Sequence, residues 1–350
     1  MTGLHVPNGI QSRKFNGQGL PLLLEANTQE FSLVEWAREH RTWIEDVIVE
    51  SGAILFRNFR STNPTQDFEN FSRIISEELL EYVYRSTPRT TLGMNIYTAT
   101  EYPPKATIPQ HNENAYCRDW PMKIAFLCAQ KAPQGGETPL SRTASVTRRI
   151  SDKTRDRFRK LGVLYVRNYH DRLDLPWETV FQTDNKEALE RFCQQNNINY
   201  EWRRNGVLRT SQVCQAMAVH PKTCEELWFN QAHLFHVTSL DSPTRKAMLS
   251  IFNEDELPRN TYYGDGSPIE PAALDEIRAA FSAETVTFPW QSNDVLLIDN
   301  MLVGHGRNPF SGPRRVLVSM GQPFSCFQNG QVYPSANCGA NAHVESLSAG

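Results

Sequence analysis

Two short runs carry residues suited to a single metal centre. Residues 305–317 read His-Gly-Arg-Asn-Pro-Phe-Ser-Gly-Pro-Arg-Arg-Val-Leu, so His305 stands ten positions before Arg315 on a strand-like stretch. Far upstream, residues 111–113 read His-Asn-Glu. In an H-x-E on a strand both side chains fall on one face, because side chains alternate with a period of two. Two histidines and one carboxylate form the facial set that holds non-haem Fe(II) and leaves positions open for substrate and oxygen. An arginine nearby can grip an organic acid through paired hydrogen bonds.

Each motif alone is weak. With nine histidines and 39 acidic residues, chance supplies on the order of one H-x-[DE]. A second copy, His343-Val-Glu345, lies in a tail of small polar residues with no histidine after it. The pair His233-Leu-Phe-His236 has the i, i+3 spacing of a shared helix face, but its aromatic surroundings fit two partly buried histidines better than a metal site. His220, before Pro221, reads as a loop residue with no visible partner.

The elements that must position these residues come from a chain of 350 residues, 39% of them apolar, with seven Trp, eighteen Phe and eleven Tyr. That is enough for a large core and excludes global disorder. A formal net charge of -3 gives no electrostatic footprint for nucleic acid. The longest apolar runs, such as 122–129 and 294–298, are strand-length and far short of a membrane span. The first residues lack the basic and apolar regions of a signal peptide. Seven cysteines without a C-x-x-C pair point to free thiols in a reducing compartment and to a cytoplasmic protein.

Residues 31–51 are expected to form one amphipathic helix, with Ser32 and Glu35 spaced as a capping box and Gly52 at its end. Ala53–Phe56 follows as a strand and 65–79 as a second helix. From about residue 92 the pattern turns to strands: 93–99, 123–127, a turn at 133–136 and a strand at 137–140. A mixed insertion over about 143–283 begins with a charged helix at 143–161 closed by Gly162. It contains an Asn205-Gly206 turn signal and ends with a helix at 272–281. Strands return at 285–288, 295–298 and 315–320. The fold class is mainly β with helices: a double-stranded β-helix, or jelly roll, flanked by helices and carrying that insertion. It spans residues 1–327 as one domain, and a flexible tail covers 328–350.

Taken in order, His111-x-Glu113, Gly135-Gly-Glu-Thr138, His305 and Arg315 resemble the taurine dioxygenase (TauD/TfdA) family of Fe(II)/2-oxoglutarate-dependent oxygenases, over residues 30–325. Glutamate in place of the commoner aspartate matches the clavaminate-synthase-like branch. The resemblance implies that His111, Glu113 and His305 are the iron ligands and that Thr138 and Arg315 bind the distal carboxylate of 2-oxoglutarate. It implies an enzyme that consumes O2, releases succinate and CO2, and hydroxylates an unactivated C–H bond. Desaturation or ring formation would use the same residues, and a non-catalytic protein that binds metal or 2-oxoglutarate is the alternative of another class. Many relatives carry a second arginine four residues after the clamp, where this chain has Ser319. Arg307 is the expected substitute, because Arg314 should face away from Arg315.

The SyrP-like members, which this chain resembles most, imply an amino-acid-like substrate of a natural-product pathway. Asn114 and Tyr116, just past the ligand pair, Asn230 in the aromatic stretch 227–236, and Arg307 are the candidate substrate contacts. The helix near 148–160 carries seven basic residues against two acidic ones, which suggests an acidic carrier protein presenting a tethered amino acid. A solvated basic face is the more ordinary explanation.

Overall fold

The computed structural model describes residues 6–332, apart from 16–18, 29, 81–90, 94, 100, 101, 171, 172, 204, 205, 326, 329 and 330. The His343-Val-Glu345 motif, Asn205 and all of the expected tail past Val332 lie outside the described residues.

Two β-sheets form the core. The larger has eight strands, in the order Ile10–Lys14, Leu22–Ala26, Ala53–Arg57, Val295–Asp299, Asp119–Gln130, Arg315–Ser325, Ile96–Thr98 and Thr91–Gly93. The smaller has three, with Val303–Arg307 between Ile108–His111 and Leu140–Arg142, all antiparallel. This is the jelly-roll class expected from the strand pattern. Ile54, Phe56, Ala125, Leu127, Leu297 and Leu317 pack under the N-terminal helices. Their neighbours Leu55, Ile124, Phe126, Ile298, Val316 and Val318 fill the interior facing the small sheet. The central strands are therefore apolar on both faces, and their runs show no alternation in sequence.

Against the outer face lie three helices. The expected helix over 31–51 is two, Leu33–Glu39 and Arg41–Ser51, broken at His40 (φ -109°, ψ 22°). Ser32 caps the first through the Glu35 amide, and Gly52 ends the second at φ 77°, a conformation glycine adopts without penalty. The break lets Trp36 turn its edge toward Trp43 and Phe56. The third helix, Pro64–Ser76, starts at an Asn63 cap. Its Ser72 meets Ser319 of the sheet through a 2.7 Å hydroxyl contact. Ser319 therefore faces this helix layer and not the interior.

Between 143 and 283 the chain forms a separate four-stranded antiparallel sheet, Asn199–Trp202, Leu208–Cys214, Val163–Tyr169 and Arg259–Tyr263. Helix Pro271–Ala283 contributes Leu274, Ile277 and Phe281 to the core of this unit. The single charged helix expected at 143–161 is again two, Thr143–Arg149 and Asp152–Leu161, with Ser151 capping the second. No strand forms at 285–288; only Val286 bridges to Leu140. Cys117, Cys128, Cys193 and Cys214 form no disulfide, but Cys224 is disulfide-bonded, so unbridged thiols throughout was too broad an expectation. Sequence spacing does not report which cysteines meet in space. Among the described residues no helix is long and apolar enough to cross a membrane.

One buried ion pair joins the end of strand Ala53–Arg57 to the loop before Val295. Arg57 donates from Nε and Nη2 to the two oxygens of Asp294 at 2.9 and 2.6 Å, and Nη2 also reaches Pro289 O. Burial still holds the Asp294 carboxyl above its ordinary pKa despite that partner, so the pair fixes geometry more than it adds stability. Asp294→Ala leaves the Arg57 charge buried and should lower unfolding free energy by about 3–5 kcal/mol, measured by urea denaturation. A loss under about 1 kcal/mol would show that Arg57 finds solvent.

Candidate functional site

His111 ends one strand of the small sheet and His305 is the centre of the next, and the two are direct register partners. Gly306 permits that pairing: a Cβ there would lie 2.6 Å from Ile108 O, closer than any side chain tolerates. The imidazoles end with centroids 4.7 Å apart. The strand stops at His111, and Asn114 has φ 55°, so Glu113 sits in a turn and not on the strand face first expected. It nonetheless arrives beside both rings. Glu113 Oε2 is 3.7 Å from His305 Nε2 and 4.0 Å from His111 Nε2.

Among the described residues these three form the only cluster of His, Cys, Asp or Glu that could hold an ion, with ligand atoms all within 4.8 Å of one another. The spacings exceed hydrogen-bond length and suit one ion touching all three. Glu113 is 3% exposed, and a carboxylate buried this deeply calls for a cation. His111 Nδ1 lies 2.9 Å from Pro109 O. With the proton on Nδ1 donated to that carbonyl, the Nε2 lone pair faces the cluster, the usual orientation of a metal-binding imidazole. Neutral imidazole and carboxylate suit Fe(II).

Beside the histidines opens a small cavity of about 40 Å³, walled by Ile108, Phe126 and Val316, with Thr138, Arg307 and Arg314 supplying polar groups. Thr138 is buried and accepts the Trp290 indole N–H at 3.1 Å. Its own hydroxyl proton therefore remains available to a ligand. Arg314 donates Nε to Gly136 O at 3.1 Å, its only hydrogen bond among the described residues, which leaves both Nη groups for an anion. Burial pushes its guanidinium down to about 10, so it stays charged at neutral pH as a partly desolvated cation. Gly136 makes room for it: the glycine has φ 76°, and a Cβ there would come 2.9 Å from Arg314 Cδ.

The expectation that Arg315 faces the site and Arg314 faces away is not met: Arg314 lines the cavity and Arg315 does not. Side chains do alternate, but the inward set is Arg314, Val316 and Val318, while Arg315 is exposed at the strand end. Residues 316–318 are apolar on both faces, so nothing in their order marks the inner one. Arg307 lines the cavity but its guanidinium is occupied: it donates to Tyr102 O, Pro103 O and Ala106 O at 2.7–2.9 Å. It anchors the 102–106 loop and is a poor candidate for a substrate carboxylate.

Two other substrate candidates are spent on structure. Asn230 donates to Ala216 O and accepts from Ala232 N. Tyr116 is 3% exposed and packs against Tyr165 and Phe235. Asn114 lines a second cavity with Cys117, Trp120, Phe192 and Gln212, and its buried Oδ1 has no hydrogen-bond partner among the described residues. His233 stacks on Phe281, and burial pushes it down to about 3. His236 bonds Thr238. His220, expected to lack a partner, is wholly buried with Nε2 3.1 Å from Asp299 Oδ2.

The basic helix spends its charge locally. Arg157 pairs with Glu270, Arg159 with Glu226 and Asp156, Arg155 with Asp152, and nearby Arg149 with Glu284. The acids from other elements were invisible in the local sequence, and the face loses the excess charge that suggested a carrier protein. Sequence reading also passed over Trp290, which orients Thr138, and Asn300, which holds Glu113. Both sit far from the residues they serve.

A model of the family described as taurine catabolism dioxygenase TauD, TfdA matches residues 16–320. The chain is 42% identical over 323 residues to the dapdiamide synthesis protein DdaC of Enterobacter agglomerans, covering 92% of this chain and 94% of that protein. It is 31% identical over 298 residues to a clavaminate synthase-like protein of Arabidopsis thaliana, covering 81% and 85%. The solved structure of PvcB from Pseudomonas aeruginosa superposes with a TM-score of 0.48 at 15% identity, covering 85% and 84%.

The geometry separates the two neighbouring arginines. Arg314→Ala should weaken 2-oxoglutarate binding to the metal-loaded protein about 100-fold or more, since two charge-assisted hydrogen bonds at roughly 1.5 kcal/mol or above are lost. Arg315→Ala should stay within about twofold, as removal of an exposed charge does. Calorimetric titration of both variants decides it, and the opposite order would restore Arg315 as the clamp.

Proposed function

From the premise that the chain belongs to the TauD, TfdA family of dioxygenases, we propose that it oxidises an unactivated C–H bond of an amino acid or amino-acid-derived biosynthetic intermediate. In this reading His111, Glu113 and His305 hold the iron, and Arg314 and Thr138 hold the distal carboxylate of 2-oxoglutarate. The enzyme is a 2-oxoglutarate-dependent dioxygenase whose cofactors are Fe(II), 2-oxoglutarate and O2. The observation that carries the residue assignment is the opening of one cavity onto both histidines of the His–Glu–His cluster and a half-buried guanidinium whose Nη groups make no hydrogen bond among the described residues.

Bound iron and 2-oxoglutarate would let O2 act as the oxidant, one oxygen atom ending in succinate as CO2 is lost and the other oxidising the substrate C–H bond. The chain's part is position and exclusion. Arg314 offers two Nη donors in the fork that matches a carboxylate, and Thr138 offers one hydroxyl proton. Phe126, 5.2 Å from the His305 ring, and Val316 wall the cavity with apolar surface. Excluding water there strengthens the arginine–carboxylate attraction. The fixed Nδ1–H of His111 keeps its metal-facing nitrogen unprotonated.

The 42% identical relative is named for a biosynthetic pathway, which supports a biosynthetic intermediate over a nutrient. The neutralised helix at 152–161 favours a free substrate over one presented by an acidic carrier.

An amino-acid panel incubated with Fe(II), 2-oxoglutarate and O2 should contain a member that stimulates succinate release. His111→Ala and His305→Ala should abolish that release. Stimulation that survives in both variants would contradict the assignment of the iron site, and a panel in which only non-amino-acid sulfonates or aryl ethers stimulate would contradict the substrate class.

A further inference from the structure

The carboxylate ligand of the proposed iron site stands where no strand supports it. His111 and Ile108 pair with His305 and Arg307, but the ladder ends there, and the chain turns through Asn114 at φ 55°. A residue in a ladder has its N–H and C=O fixed by a neighbouring backbone. For Glu113 the side chain of Asn300 does both jobs. Glu113 N donates to Asn300 Oδ1 at 2.7 Å, and Asn300 Nδ2 donates back to Glu113 O at 2.9 Å. The same Nδ2 reaches Pro121 O at 2.8 Å, so every donor and one acceptor site of this fully buried carboxamide are committed.

Asn300 is itself fixed from several sides. Its carbonyl accepts from Asn112 Nδ2 at 2.6 Å, and its amide donates to Met122 O at 2.8 Å. The preceding residue, Asp299, accepts the Met301 and Leu302 amides on Oδ1 at 3.0 and 3.1 Å. Asp299 Oδ2 meets the Nε2 of buried His220. His220 Nδ1 accepts the Lys222 and Thr223 amides, which places its proton on Nε2, toward Asp299. A second carboxamide reaches the ligand loop from the insertion: Gln231 Nε2 donates to Asn112 O at 2.7 Å.

We propose that Asn300, with Gln231 on the other side of the loop, is the positioning residue that holds Glu113 for metal, so that these two carboxamides set metal affinity without touching the ion. This rests on Glu113 being a ligand of the site. Rigid outer contacts of this kind typically contribute 10–100-fold in metal affinity. A substitution that keeps the shape but removes the two N–H donors, Asn300→Asp, is the direct probe. Gln231→Met is the independent one, since it leaves Asn300 intact.

The test is Co(II) binding to the anaerobic, metal-free full chain, read from the visible absorption of the bound ion, with thermal midpoints recorded in parallel. Asn168→Asp is the structural comparator: that buried asparagine also donates to two carbonyls, Asp255 O and Leu257 O, but far from the site. N300D and Q231M should each weaken Co(II) binding at least 10-fold, while N168D lowers the thermal midpoint and leaves affinity within about twofold. If N300D does not fold, Q231M decides alone. Parent-like affinity in the folded variants, or an equal loss in N168D, would overturn the positioning role. Parent protein that binds no Co(II), or E113Q that binds as the parent does, would instead refute the metal reading on which it rests.

Discussion

His111 and His305 come from distant parts of the chain and meet because their strands pair in one register. Slipping that register by one residue would turn His305 to the opposite face of the small sheet. Gly306 keeps the strands close enough to pair, and Gly304 on the other side of His305 would place a Cβ 3.2 Å from Ser141 Oγ. The position of the two imidazoles is thus a property of backbone pairing, and the cavity, the turn carrying Glu113 and the glycine loop at 133–138 are arranged around it.

The proposed anion subsite is held differently, by a loop rather than a sheet interior. Gly135 has φ 67° and a Cβ there would lie 2.2 Å from Pro309 O, while Gly136 leaves space for the Arg314 stem. Two consecutive glycines therefore let the 133–138 segment lie against the 309–314 segment, bringing Thr138 and Arg314 to one wall. Trp290 reaches in from outside both segments to set the hydroxyl. Charge, donor direction and apolar walls converge on one place, and the guanidinium there is partly desolvated and forms no ion pair among the described residues.

Much of this was legible in the sequence because chemistry constrains residue type more tightly than position. The spaced set His111, Glu113, Thr138 and His305 stood out against two decoys, and these four side chains border one region. The jelly-roll class followed from the strand runs at 123–127, 295–298 and 315–320. What could not be read was any choice decided by tertiary contact. Arg314 and Arg315 are adjacent and identical, and only the packing of Val316 and Val318 shows which turns inward. His40 breaks a helix whose periodicity continues through it. Asn230 and Arg307 looked available because their carbonyl partners lie far away in sequence, and the acids that neutralise Arg149, Arg157 and Arg159 were hidden in the same way. Glu113 reached the site from a turn, although the alternation argument placed it on a strand.

The most direct measurement is a crystal structure of the anaerobic Fe(II)–2-oxoglutarate complex. The account predicts one ion bound by His111 Nε2, the Glu113 carboxylate and His305 Nε2, and a distal 2-oxoglutarate carboxylate within hydrogen-bond distance of the Arg314 Nη atoms and Thr138 Oγ1. Iron held by any other residue set, or a distal carboxylate on Arg315 with Arg314 turned away, would contradict it.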